Sequence, residues 1–423
     1  MAAPGDTDSD DEFDFESFVP DDDVFEGARQ GLNDEFSEAR RTTENPERRK
    51  RIAIIRTSDR ISYRRCRRKW NWSHSSRGNL QMRSGHGPFW LGTGMHFAFE
   101  DFHGHRRWDH PRDALTAYYS ATKNSGADLP FDVEDLYHLG LNMLDYYEVW
   151  LEGREELKTY VVNGEPQVEV NFFIDIPKEH LLKAGCPQEV LDLYDVIYYS
   201  VTIDRVIIDA YGRLWTVEYK SAKQYAWMHL DTDPQVTAYH WAAQHKYPEM
   251  EIAGTIYQQH KKQILKPPKF VASTGTYSTS KSQKTSYALY LGALRNLFGN
   301  DHNKYPDANR RFLEYIQTQE TQQSDSLIRR DEVERNSDQS KSEYQKILWE
   351  VSEMINPNTP LYPNPTRDCS WDCKAFVGAC IGMDAGEDWS NILRDETMSR
   401  TAPETYWRRH LRYPEQNEMQ RFY

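Results

Sequence analysis

Two neighbouring runs of β-branched and aromatic residues, 198–209 (YYSVTIDRVIID) and 214–220 (LWTVEYK), restrict this chain more than anything else in it. Separated only by 210–213 (AYGR), they read as the two arms of a β-hairpin. Positions 204 and 218 are each seven residues from position 211. A loop centred there, with an odd number of residues, puts Asp204 directly across the ladder from Glu218, with Cβ atoms about 4.5–5.5 Å apart. Lys220 then shares the face of Glu218, while Val217 and Tyr219 point the other way. Such a patch is either a surface cross-strand salt bridge or a cation site. Asp204 and Glu218 offer the hard oxygen ligands that Mg²⁺ or Mn²⁺ takes, and a metal so held lowers the pKa of a bound water. Lys220 would position or deprotonate that water and offset phosphate charge.

The pattern around the hairpin predicts an α/β fold, a mixed β-sheet core flanked by helices with an added helical region. Thr57, Ser58 and Asp59 supply N-cap chemistry for a helix over 61–72 (ISYRRCRRKWNW). Further helices are expected at 92–108, 111–119 and 136–151, then a strand at 167–176 (QVEVNFFIDI). After the hairpin come a helix at 234–243 and a strand at 252–258. Residues 318–342 form either an exposed helix or a mobile connection, and 342–355 return to helix. A Pro-rich turn then delivers the chain to Cys369, Cys373 and Cys380.

Charge is unevenly placed. The net charge is −14, but residues 1–40 hold 14 Asp and Glu against 2 Arg, and read as a disordered acidic tail. That tail either solubilises the chain or binds a protein partner through its scattered phenylalanines. Residues 41–70 carry 12 Lys and Arg against 3 acids, which leaves a phosphate-backbone partner open, since local field decides such contacts. Arg64 and Arg65, with Tyr63, Trp70 and Trp72 between basic residues, could track a backbone and stack on bases; the competing reading makes the aromatics core. No apolar run approaches the roughly 18 residues of a membrane span. The N-terminus lacks a secretory pattern, and five cysteines are too few for a disulfide scaffold, so an intracellular, reducing compartment is expected. The spacing of Cys369, Cys373 and Cys380 invites a metal. A zinc site built from His96, Glu100 and His103 is disfavoured, because the HExxH spacing is absent.

Several of these features in order resemble the RecB-like branch of the PD-(D/E)XK superfamily, which includes CRISPR-associated and phage-encoded exonucleases. Gly92-Thr93-Gly94-Met95-His96 matches its Gly-x-x-x-His helix, Glu169 the glutamate of the next strand, and Asp204 with Glu218-Tyr219-Lys220 the core motif. Gln235 and Tyr239 match its Gln-x-x-x-Tyr element. The resemblance implies His96, Asp204, Glu218 and the Tyr219 carbonyl as metal ligands and Lys220 as the catalytic lysine. Glu169 would assist the metal or the groups that surround its ligands, and Gln235 and Tyr239 would contact DNA or order the site. Thr202 stands where the family often has glycine. The resemblance further implies a [4Fe–4S] cluster on Cys66, Cys369, Cys373 and Cys380, with zinc as the alternative because the spacing departs from the commoner one. It yields a nuclease domain over 51–383, a tail and linker over 1–50 and a helical extension over 384–423. The implied activity is that of a DNA exonuclease working on ends or single strands in recombination or repair, in the cytoplasm, or the host's if phage-encoded. The alternative is a DNA-end-binding protein that keeps the fold without turnover.

Overall fold

The computed structural model describes residues 51–399 apart from 75–76, 83–86, 125–131, 152–156, 323–326, 368 and 374–375. The acidic tail, the basic residues 41–50 and the last residues from 400 lie outside the described residues. Strand β1 (Ile52–Arg56) opens the described chain and leads into helices α1 (Thr57–Arg65) and α2 (Arg67–Ser73). One helix was expected across 61–72; instead Cys66 interrupts it with extended backbone, φ −163° and ψ 113°. Its Sγ accepts the Lys69 N–H at 3.5 Å and caps α2. The start of α1 also differs from expectation: Arg56 is the N-cap, and Asp59 accepts its backbone N–H at 3.0 Å.

Helices α3 (Gly87–His103), α4 (Pro111–Asn124) and α5 (Val133–Leu151) follow, then strands β2 (Val168–Asp175), β3 (Val196–Ile208) and β4 (Leu214–Ala222). Helix α6 (Pro234–Lys246) crosses over to β5 (Ile252–Lys261). Helices α7 (Tyr287–Phe298) and α8 (Asp307–Gln322) form the added helical region around Tyr290, Leu294 and Phe312. The stretch left open between helix and connection contains a strand, β6 (Ile328–Glu334). Helices α9 (Ser337–Ile355), α10 (Val377–Ala385) and α11 (Trp389–Glu396) complete the order. Residue 383, the expected end of the nuclease domain, falls inside α10, and Thr397–Ser399 pairs back onto Leu80–Met82.

The sheet runs β1-β3-β4-β5-β6, with β2 on the opposite edge of β3. It is mixed: β1 with β3 and β4 with β5 are parallel, the other pairs antiparallel. Helices cover both faces. Trp241, Ala242, Ile347 and Val351 pack with Tyr199 and Val201 on one side. Phe99, Leu144 and Tyr147 pack with Val217 and Tyr219 on the other. Burial on both faces explains why β4 is apolar almost throughout, with Glu218 the charged exception among its buried residues. Among the described residues no helix is long and apolar enough to cross a membrane.

Candidate metal centre

The 13 residues of β3 serve two partners on one edge. The β1 ladder ends at Ser200 and the β4 ladder begins at Arg205, so Asp204 sits at the seam between them. The β4 pairing runs from Ile208 with Leu214 to Arg205 with Val217, the register that a loop centred on residue 211 requires, and ends one step short of Asp204 and Glu218. The strands part just there, and the Asp204 carboxylate replaces the backbone ladder by accepting the Tyr219 N–H at 2.8 Å. Ile203 and Val206 share one core although strict alternation would separate them, so β3 twists through this point. On the other edge the β2 register sets Glu169 opposite Asp204. Glu169 has φ +44°, a conformation costing a side-chain-bearing residue on the order of 1–3 kcal/mol.

His96 reaches this row from α3. Its Nδ1 is 3.1 Å from Glu169 Oε1 and 3.4 Å from Asp204 Oδ1. One ligand atom from each of His96, Glu169 and Asp204 lies within 4.8 Å of the others. Glu218 stands beside them: Gln235 Nε2 donates to its Oε1 at 3.1 Å, and Lys220 pairs with the same oxygen. Its other oxygen, Oε2, is buried with no hydrogen-bond partner. A buried, orphaned carboxylate oxygen next to an acid–imidazole trio fits a hard divalent cation in its donor chemistry. Protonation tells the same story. Burial, then the Asp204 charge, pushes Glu218 up to about 7. Burial would lower the His96 imidazole, but Asp204 and Glu169 together hold it well above the ordinary histidine value. Burial opposes charge on Lys220 as well, yet Glu218 and Asp204 keep its ammonium pKa raised. With His96 and Lys220 protonated, these five groups set two positive charges against the three carboxylates Glu169, Asp204 and Glu218.

Sequence reasoning named His96, Asp204, Glu218 and Lys220 together, with Glu169 assisting the metal or the groups that surround its ligands; the geometry sets Glu169 in the trio itself, with His96 and Asp204. Gln235 bridges Glu218 and the Tyr239 hydroxyl, which it meets at 2.8 Å. Tyr219 meets the site through its backbone N–H, while its ring stacks on Phe99, centroids 4.5 Å apart. His103 is not part of the site. Burial keeps its imidazole well below the ordinary value, and it meets the Tyr147 hydroxyl at 2.7 Å.

In the basic helix pair the structure decides between the two readings of the aromatics. Tyr63, Trp70 and Trp72 are buried in the core, so none is open to a base. Arg64 pairs with Glu350, Arg67 with Glu353 at 2.5 Å, and Arg65 donates to Thr366, so these charges tie α1 and α2 to α9 and the segment after it. The break at Cys66 faces the C-terminal cysteines. Burial, then the nearby Cys66, Cys369 and Cys380, pushes the Cys373 thiol up to about 11, although Lys69 pulls it down. Arg68 donates to Cys380 Sγ at 3.2 Å and the Thr366 N–H to Cys369 Sγ at 3.3 Å. Cys186 lies apart, in the main core.

A mixed sheet covered on both faces, with an acid–imidazole cluster and a lysine at its splayed seam, has the construction of a metal-assisted phosphoester hydrolase. The chain belongs to the PD-(D/E)XK nuclease superfamily, whose model matches residues 60–376. None of the curated proteins matches it. Among solved structures, one titled "Crystal structure of SSO0001" aligns with 55% of this chain and 74% of its own, at 16% identity and a TM-score of 0.21.

Proposed function

We propose that this protein is a metal-dependent DNA exonuclease of the RecB-like branch, acting on DNA ends or single strands in recombination or repair. The observation that carries the reading is the meeting of His96, Glu169 and Asp204 within 4.8 Å, beside a Glu218 oxygen that lacks a partner. These four would hold Mg²⁺ or Mn²⁺. When bound, the ion lowers the pKa of a coordinated water and offsets charge gathering on a phosphodiester. Lys220, kept charged by its carboxylate neighbours, stands where it would draw in a phosphate oxygen and neutralise it. Gln235 aims the Glu218 carboxylate, and Tyr239 holds Gln235 in turn. The buried surroundings strengthen each of these interactions relative to water.

A [4Fe–4S] cluster on Cys66, Cys369, Cys373 and Cys380 belongs to the same proposal. Cys66, Cys369 and Cys380 lie near enough to push the Cys373 thiol up, which supports a shared site. Zinc on the same four thiolates is the alternative.

The test is digestion of end-labelled single- and double-stranded DNA by the anaerobically purified protein with Mg²⁺ or Mn²⁺. Cleavage is expected from the labelled ends, and Lys220→Ala and Glu218→Ala are each expected to reduce it by about 100-fold or more. Cutting by both variants at the parent rate would overturn the assignment.

A further inference from the structure

Three strands carry one row across the active face of the sheet: Lys220 on β4 is paired with Gln259 on β5, and Gln259 with Arg329 on β6. With strands about 4.8 Å apart, Arg329 lies roughly 10 Å from Lys220. The loop after β4 folds over this row. Gln259, almost fully buried, grips that loop at Ala226, accepting its N–H at 3.0 Å and donating to its carbonyl at 3.2 Å. Tyr225 and Trp227, either side of the clamped residue, are thereby held in place. Trp227 lies with the Arg329 guanidinium 4.1 Å from its ring centroid, and Arg329 is fixed by Asp331 at 2.7 Å. Even so the indole is 48% exposed, and Met228 beside it is 88% exposed. A large aromatic locked by its neighbours yet left open on one side is a platform without its partner.

The charge around it says what that partner is. In a chain of net charge −14, residues 252–300 contain six lysines and one arginine and no Asp or Glu. Residues 219–230 likewise hold Lys220 and Lys223 and no acid. The two segments are joined where the Lys262 N–H donates to the Ala222 carbonyl at 2.7 Å, and Lys266 is tied on by its N–H to the Lys284 carbonyl at 2.8 Å. Among the described residues Lys223, Lys261, Lys262 and Lys266 have no carboxylate partner. Lys262 is held below the ordinary lysine value, by burial and then by the like charge of Lys223, so the cluster is short of negative charge. Lys261 Nζ lies 5.8 Å from the Tyr225 ring centroid, which interleaves the cations with the aromatics.

We propose that this ledge binds single-stranded DNA: a base stacks on the exposed face of Trp227, while Lys223, Lys261, Lys262 and Lys266 follow the phosphates that lead to Lys220. The inference rests on the nuclease reading and narrows its substrate to an unpaired strand. The roughly 10 Å between Arg329 and Lys220 corresponds to about three nucleotides at the ~3.4 Å spacing of a stacked strand. A duplex buries its base faces against one another, so a single-sided indole shelf rewards only unstacked bases.

The experiment is fluorescence anisotropy of a labelled oligothymidylate, the same backbone made abasic, and a duplex, each titrated with the full chain in Ca²⁺. Trp227→Ala is expected to weaken oligothymidylate binding by about 5- to 150-fold, the range for one base–aromatic stack, with Trp227→Phe recovering most of it. Abasic binding should change little. The Lys223→Ala, Lys262→Ala pair should instead lower the salt dependence on every strand, by roughly 0.7 in log–log slope per lysine. Binding to oligothymidylate that ignores Trp227→Ala, or a loss equal on abasic and normal strands, would overturn the ledge alone. Altered self-association in that variant with DNA affinity intact would do the same and assign the face to protein. Failure of the wild type to bind DNA of any form would instead sink the nuclease reading beneath it.

Discussion

Asp59 shows how a single residue can look like one thing in sequence and do another in the fold. Its place after Thr57 and Ser58 suggested part of an N-cap, yet it is the third residue of its helix and accepts from Arg56 and faces His74 at 3.1 Å. Burial alone would raise its pKa, but the Arg56 and His74 charges hold the carboxyl far below the usual carboxylate range. A group depressed in the folded state stabilises above its unfolded pKa of about 3.9, and that stabilisation fades as pH falls below it. Asp59→Asn is therefore expected to melt several degrees lower than wild type at pH 7, with the gap narrowing below about pH 4. Thermal melts across that range check it, and a gap constant with pH would refute the ionic account. Glu169 was legible as a site residue, but its left-handed backbone and its place in the trio were not. Nothing in a local sequence window signals that β2 and β3 bring it opposite Asp204.

At the level of elements, periodicity located most helices and strands but misjudged those whose neighbours decide their state. The 61–72 run has a helical pattern throughout, and at the break it is the distant Pro-rich segment that takes up backbone groups: Asn364 Nδ2 donates to the Arg65 carbonyl at 3.0 Å and the Arg68 N–H to the Tyr362 carbonyl at 3.3 Å. Strand β6 (IRRDEVE) was hidden because an edge strand carries charge where a central one is apolar. Its docking depends on Gly254: a Cβ there would lie 2.2 Å from the Val333 carbonyl oxygen. Gly254→Ala should force the edge apart, costing roughly 1–3 kcal/mol, the range of other overpacked sites. Chemical denaturation would measure it, and an unchanged midpoint would show that β6 can shift freely. Helix α1 is anchored just as specifically, since Arg60 is fully buried between Glu343 at 2.8 Å and Glu350 at 2.6 Å on α9. Acid-free segment 252–300 was visible in the sequence all along, but it gained meaning only when its lysines came to lie beside Trp227.

For the whole molecule, the proposed cluster would join Cys66 to cysteines about three hundred residues away, and closing so long a loop would restrict the unfolded chain considerably. Under the cluster proposal, Cys66→Ser is expected to lose the visible absorption of the anaerobically purified protein and to lower its melting temperature. Retained absorption in that variant would exclude Cys66 as a ligand. The sequence by itself determined the β-hairpin and its register as far as Arg205 opposite Val217, because a two-residue side-chain period and a short loop leave little freedom; the ladder ends there, and Asp204 takes the Tyr219 N–H in place of a backbone partner. It also determined the superfamily's motif order. Only the tertiary structure decided that Glu169 completes a trio with His96 and Asp204, and that the α1–α2 arginines are held by α9 while the exposed aromatic beside the site is Trp227. Those outcomes depend on which strands pair and which helices cover them, contacts between residues far apart in the chain that no local pattern records.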